Sequence, residues 1–330
     1  MTTTSEVHPM LRSKRPLIIT RPGERLAGDA KNSVEIGADG IWVDGHGRYG
    51  KTFGFRMLVQ TDAWRPYPLH MREYTYPKPT KSGEGYFFTS FLLQDGQTVP
   101  SSAMSNVLMM RLANLWRVEA ARDTADVVCV GINEANRLTL DDFEHVVSIG
   151  NEMEKWGRVF FFFINQIDAG KNLRSGLDRR PPRHIAGRYF TTSHHFTGLL
   201  WDVPDADKDY QLISDVALAC REFDEVLRWP AGSGITYTQY FASTAYAKGW
   251  RLGSQLDLIR TTINAIRAEN GLGPVVDWPM ITFERFVYFV LLRIAFEDPD
   301  FLELTPQQVR EVMMRIGYLH HEPGYKGEPA

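Results

Sequence analysis

Cysteine is nearly absent from this chain: its 330 residues contain two, Cys129 and Cys220. They lie far apart and Cys129 sits inside the apolar run Val127 to Val130, so a disulfide-stapled scaffold is excluded and a buried thiol in a reducing cytosol is expected. Long hydrophobic runs are missing too. The most apolar stretches, Arg158 to Ile164 and Phe286 to Phe296, fall far short of the ~20 residues that span a bilayer, so no membrane partner is expected. The segment Met1 to Pro16 is polar, with Arg12, Lys14 and Arg15 and no apolar stretch behind them. No secretory leader is expected, and a cytoplasmic location is. Neither sign of charge dominates: 37 Lys and Arg against 40 Asp and Glu give a formal net charge of -3. A surface coated in positive charge is excluded, while local basic patches are not. The pairs His194-His195 and His320-His321 have no cysteine or carboxylate neighbours at metal-ligand spacing, and no nucleophile-elbow sequence supports serine hydrolase chemistry.

What is present is enough for a substantial core. Hydrophobic residues make up 43% of the chain and charged residues 23%, the balance of a folded globular protein of one large or two smaller domains. No internal repeat is visible. Between residues 38 and 202, short apolar runs alternate with amphipathic stretches, the pattern of a three-layer α/β fold. Strands are expected at Gly40 to Asp44, Leu69 to Tyr76, Val127 to Ile132, Val159 to Ile164 and Phe196 to Asp202. Helices are expected at Met104 to Ala121 and, opened by a Thr139/Asp142 capping box, at Leu140 to Trp156. From about Pro204 the strand signals give way to helices at 207–227, 252–267 and 281–296, and Thr305-Pro306-Gln307-Gln308 is a strong helix start for a segment ending near Gly317. The two ends, residues 1–7 and 320–330, are expected to be weakly ordered.

One motif carries chemistry. Gly45-His46-Gly47-Arg48-Tyr49-Gly50-Lys51-Thr52 matches G-x-x-x-x-G-K-[ST], the phosphate-binding P-loop. Glycines let the backbone curl its N–H groups toward phosphates, the lysine reaches the β- and γ-phosphates of ATP, and the threonine hydroxyl ligates Mg²⁺. The apolar Ile41-Trp42-Val43 before it and the helix-compatible Thr52 to Gln60 after it supply the strand-loop-helix setting.

A P-loop needs a second strand that brings a carboxylate to the metal. The best candidate is Val127 to Ile132 followed by Asn133-Glu134. The usual Walker B aspartate is replaced by Asn133, which keeps a carbonyl oxygen and loses the charge, so weaker Mg²⁺ binding and slow turnover are expected, with Glu134 left to polarise the attacking water. The next apolar run, Phe160 to Ile164, ends in Asn165, placed to touch the γ-phosphate or the water.

The succession of P-loop, Ile132-Asn133-Glu134-Ala135, Phe163-Ile164-Asn165, Ile185-Ala186-Gly187-Arg188-Tyr189-Phe190 and a helical segment resembles the AAA+ ATPases that regulate DNA transposition, the TnsC/TniB type. The resemblance covers about residues 30–295, and the P-loop is its one sharp motif. It implies an AAA+ α/β domain over 31–203 after an N-terminal extension at 1–30, a helical lid at 204–300, and a C-terminal helix and tail at 301–330. It further implies an ATPase that assembles with copies of itself, as a ring or spiral, on double-stranded DNA and links a target-selection protein of the TniQ type to a transposase. Arg188 becomes the candidate arginine acting across a subunit interface. Arg251, in Gly249-Trp250-Arg251-Leu252-Gly253, becomes a candidate nucleotide contact from the lid.

Between Lys171 and Arg188 the chain carries Lys171, Arg174, Arg179, Arg180, Arg183 and Arg188 against Asp178, a local charge of +5. A second basic cluster spans Arg12 to Arg25, relieved only by Glu24. Either is a candidate phosphate-backbone contact for DNA, or else a solvated loop or protein interface. Two other functions stay open on sequence: a nucleotide-gated DNA scaffold that scarcely hydrolyses ATP, and an ATPase serving another client, as helicase loaders do. A strand-transfer enzyme is not expected, since no credible acidic triad accompanies the P-loop.

Overall fold

The computed structural model describes residues 7–12, 16–78, 83–167, 181–202 and 214–327. The chain divides into two compact units. One comprises residues 25–47 and 51–196, the other residues 1–24, 48–50 and 197–330.

The first unit is an α/β structure, as expected. Five parallel strands, β1 (Gly40–Asp44), β2 (Leu69–Thr75), β3 (Val127–Asn133), β4 (Arg158–Ile164) and β5 (Ser193–His195), lie in the order β2-β3-β4-β1-β5. Parallel neighbours require crossovers, supplied by α2 (Lys51–Gln60), α3 (Glu84–Gln94), α4 (Ser105–Arg122), α5 (Leu140–Met153) and α6 (Arg183–Tyr189), with α1 (Arg21–Glu35) leading into β1. The three inner strands are apolar and almost wholly buried, the composition of strands covered on both faces.

Alternation along each strand sorts the two faces. Trp42, Tyr74, Val130, Ile132, Phe161 and Phe163 meet α3 to α6 in one cluster with Phe91, Trp116, Phe143 and Tyr189. Each such side chain contributes on the order of 1.5–3 kcal/mol by leaving water. On the opposite face α2 lays Phe55 against Phe162, ring centroids 5.1 Å apart. This close approach depends on Gly131, where a Cβ would come within 2.4 Å of the Phe55 ring. Helix α5 opens with the expected capping box: Thr139 Oγ1 accepts from the Asp142 N–H at 3.2 Å, and Asp142 Oδ2 accepts from the Thr139 N–H at 2.8 Å.

The second unit is helical beyond residue 214, again as expected. It contains α7 (Asp215–Arg221), α8 (Tyr237–Phe241), α9 (Ser243–Ala247), α10 (Leu256–Glu269), α11 (Met280–Phe289) and α12 (Pro306–Arg315). Helix α12 starts at the Thr305 cap with Pro306 in its first turn and ends before Gly317, which adopts φ +69°. Two short strands, β6 (Leu199–Leu200) and β7 (Asp277–Trp278), pair antiparallel.

Several boundaries differ from the sequence expectations. The last strand of the main sheet is Ser193–His195 rather than Phe196 to Asp202. The apolar residues that suggested the later position have other duties: Phe196 fills the space above Gly54, and Leu199 belongs to the small β6-β7 ladder. The expected helices at 207–227 and 281–296 break into α7 and α11, each continued by π-helical turns at Glu222–Val226 and Val290–Ala295; residues 203–213 lie outside the described residues. Helix α3, with Tyr86, Phe87, Phe88 and Phe91, has no clear helical stripe in its sequence because aromatic runs suit either period. Among the described residues no helix is long and apolar enough to cross a membrane.

Candidate nucleotide site

Strand β1 ends at Asp44, and the chain turns through Gly45 to Gly50 into α2 at Lys51. Gly45 has no room for a side chain, since a Cβ would lie 2.4 Å from the carbonyl oxygen of Phe196. Gly50 adopts φ +107°, a backbone conformation that side chains disfavour. Arg48 is held at φ +68°, a left-handed conformation costing about 1–2 kcal/mol; such strain collects at ligand clamps, where the surroundings enforce it. Within the second unit, the Arg48 carbonyl accepts from the Ile281 N–H at 3.3 Å and the Tyr49 hydroxyl donates to Asp277 Oδ1 at 3.4 Å.

Lys51 Nζ donates to the carbonyl oxygens of Gly45 at 2.8 Å and His46 at 2.6 Å, and the residue is 8% exposed. Burial lowers its pKa from 10.5 to about 8, against the opposing pull of Glu134 and Asp44. The loop therefore encloses a poorly solvated cation, which an anion stabilises.

The neighbouring hydroxyl reaches the other strand. Thr52 Oγ1 donates to Asn133 Oδ1 at 2.8 Å, and Asn133, 5% exposed, closes the buried strand β3. Glu134 follows with φ 60° and ψ 35°, a left-handed turn that carries the chain out of the sheet. Its carboxylate lies 3.2 Å from Arg137 Nη2. Asn165, directly after β4, donates its N–H to the Val43 carbonyl at 2.8 Å. Its side chain is 1% exposed, and its Oδ1 has no hydrogen-bond partner among the described residues.

The structure thus gathers Lys51, Thr52, Asn133, Glu134 and Asn165 at the carboxyl ends of parallel strands, the usual place for ligands in such sheets. Two further candidates, Arg188 and Arg251, are engaged elsewhere. Arg188 Nη1 donates to Asn151 Oδ1 at 2.9 Å, with its Nε 3.9 Å from Asp39. In the second unit Arg251 Nη1 donates to the Tyr246 and Trp250 carbonyls at 3.0 and 2.7 Å, and its guanidinium lies 3.3 Å over the Tyr246 ring. Asp224 holds that turn by accepting from the Leu252 and Gly253 N–H groups at 3.0 and 2.9 Å. Arg183 is exposed at the start of α6, while Lys171, Arg174, Arg179 and Arg180 lie outside the described residues.

Two participants, Asp44 and Glu73, were not legible in the sequence. Asp44, which borders the loop, is bound through Oδ1 to His195 Nδ1 at 2.8 Å. His194 pairs in the same way with Asp29 at 2.6 Å. Glu73, on β2, accepts from Asn133 Nδ2 at 2.9 Å. Strand register brings Asp44 to His195 and Glu73 to Asn133, and no local motif announces either meeting. Among the described residues, no group of three or more histidines, cysteines or carboxylates is placed to hold a metal by itself.

No family model matches the chain, and no curated protein matches it. Among solved structures, it is similar to the Orc1 protein of Aeropyrum pernix in complex with DNA, at 11% identity and a TM-score of 0.39 over 93% of this chain and 86% of that one. Cdc6p from Pyrobaculum aerophilum gives 9% identity and a TM-score of 0.39 over 93% and 88% of the two chains. AMPPCP-bound DnaA from Aquifex aeolicus gives 10% and 0.35 over 92% and 88%. Likenesses at that level leave the site to be judged on its own geometry.

Proposed function

We propose that the protein is an AAA+ ATPase that binds ATP and Mg²⁺ in the Gly45 to Thr52 loop, assembles with copies of itself on double-stranded DNA, and regulates transposition by linking a TniQ-type target-selection protein to a transposase. The observation that carries the nucleotide site is the buried Lys51 ammonium, held by loop carbonyls within a strained loop whose helix presents Thr52 to Asn133. The orphaned, buried Oδ1 of Asn165 supports it, because a polar atom left in that state is costly without a ligand or water.

The residues fit the nucleotide. Lys51 and the loop N–H groups bind the β- and γ-phosphates, and Thr52 with Asn133 offers two oxygens of the kind that a hard cation takes. Magnesium, when bound, draws charge from the phosphate oxygens. Glu134 orients the attacking water and accepts its proton, and Asn165 positions that water or the γ-phosphate. Arg188 serves a neighbouring subunit's site, Arg251 serves the lid, and the basic segment 171–188 contacts the DNA backbone.

The client is inferred from the order of motifs that resembles TnsC/TniB regulators. Cosedimentation with double-stranded DNA is the test. The protein is expected to pellet with DNA of any sequence in the presence of ATP and Mg²⁺, and to recruit its cognate transposase only then. Transposase recruitment independent of nucleotide and DNA would contradict it.

A further inference from the structure

Asn133 leaves the end of β3 without the carboxylate that its position calls for. The missing charge stands one strand away. Strand β2 runs parallel to β3 with Glu73 opposite Gly131, so Glu73 and Asn133 share the sheet face that α2 covers. Glu73 Oε1 accepts a hydrogen bond from Asn133 Nδ2 at 2.9 Å, while the Oδ1 of the same amide accepts from Thr52 at 2.8 Å. A continuous relay, Thr52 to Asn133 to Glu73, therefore runs from the P-loop to the edge strand.

Arg56, one turn after Thr52 on α2, fixes the carboxylate with two bonds, Nε to Oε2 at 2.9 Å and Nη2 to Oε1 at 2.8 Å. The Arg56 side chain is 57% exposed and that of Glu73 23%, so water screens the guanidinium more than the carboxylate. An amide whose N–H binds a carboxylate carries more negative charge on its oxygen, because hydrogen bonds in a chain polarise one another. The same bond fixes which end of Asn133 faces Thr52.

We propose that Glu73 is the charge-supplying residue of the magnesium site, acting through Asn133 to polarise and orient the oxygen that meets Thr52. The proposal rests on the assignment of Lys51 and Thr52 to a nucleotide-magnesium site. Partners of this kind behind a metal ligand typically change metal affinity by about 10–100-fold.

The test is the affinity for a non-hydrolysable ATP analogue, measured by calorimetry with Mg²⁺ and again with the metal chelated. Glu73→Gln, which can still accept from Asn133, is expected to lose about tenfold or more of the enhancement given by Mg²⁺ while keeping its metal-free affinity. Arg56→Gln is expected to increase the enhancement, since it removes the competing cation. A purely structural pair would move both variants, and both affinities, in the same direction. Glu73→Gln combined with Asn133→Asp is expected to recover the enhancement by moving the charge one step along the relay. Full Mg²⁺ enhancement in Glu73→Gln, or a fall in Arg56→Gln, overturns the role of Glu73 while leaving the nucleotide site standing. A parent protein that binds the analogue in neither condition overturns both.

Discussion

The ammonium of Lys51 lies 2.6 Å from the carbonyl oxygen of His46, inside the loop that it serves. Burial holds its pKa near 8, below the ordinary 10.5. In the free protein Lys51 stays charged below that value and loses its proton as pH rises through it, whereas bound phosphates favour the ammonium. Nucleotide affinity should therefore be flat at lower pH and decline above about 8, approaching tenfold per pH unit as one proton is taken up with each nucleotide. Calorimetry in buffers of different ionisation enthalpy counts that proton. An affinity indifferent to pH through this range contradicts the buried, poorly solvated state of Lys51.

Glu134 stands at the strand exit in a left-handed conformation and holds Arg137 at 3.2 Å. If it accepts the proton of the attacking water, Glu134→Gln lowers turnover by about 10²–10⁴-fold and leaves nucleotide affinity in place. Steady-state phosphate release, read beside equilibrium binding, separates the two. Unchanged turnover assigns the base elsewhere. Asp142, a near neighbour in sequence, is already taken by its capping box and by the Tyr76 hydroxyl at 2.8 Å.

Gly131→Ala drives a Cβ to within 2.4 Å of the Phe55 ring, which is fully buried. The expected cost is about 1–3 kcal/mol, measured as a lower denaturant midpoint with an unchanged slope. Combining it with Phe55→Leu should recover part of the loss, because the two residues share one contact. An undisturbed midpoint in Gly131→Ala denies that this packing holds α2 on the sheet.

The turn between β1 and α2 was legible because its signal is local: spacing, glycines, the lysine and the threonine all lie within Gly45 to Thr52. The inner strands were legible because burial on both faces demands unbroken apolar runs such as Phe160 to Ile164. The α5 and α12 starts were legible because a capping box is a signal contained within four consecutive residues. The last strand was misplaced because apolar residues at 196–200 pack over Gly54 and in a separate ladder, and hydrophobicity alone does not say which partner buries it. Glu73 could not be found at all, since its bond to Asn133 crosses 60 residues of sequence and depends on the register of β2 against β3.

Nucleotide-dependent assembly through the Lys51 loop is tested most directly by titrating parent and Lys51→Ala with a fluorescent ATP analogue and then sedimenting each with double-stranded DNA. The parent should bind the analogue and pellet with DNA when ATP and Mg²⁺ are present. Lys51→Ala, folded as judged by its melting curve, should do neither, because it removes the buried cation of the loop. Nucleotide affinity and DNA assembly both intact in Lys51→Ala would contradict the account.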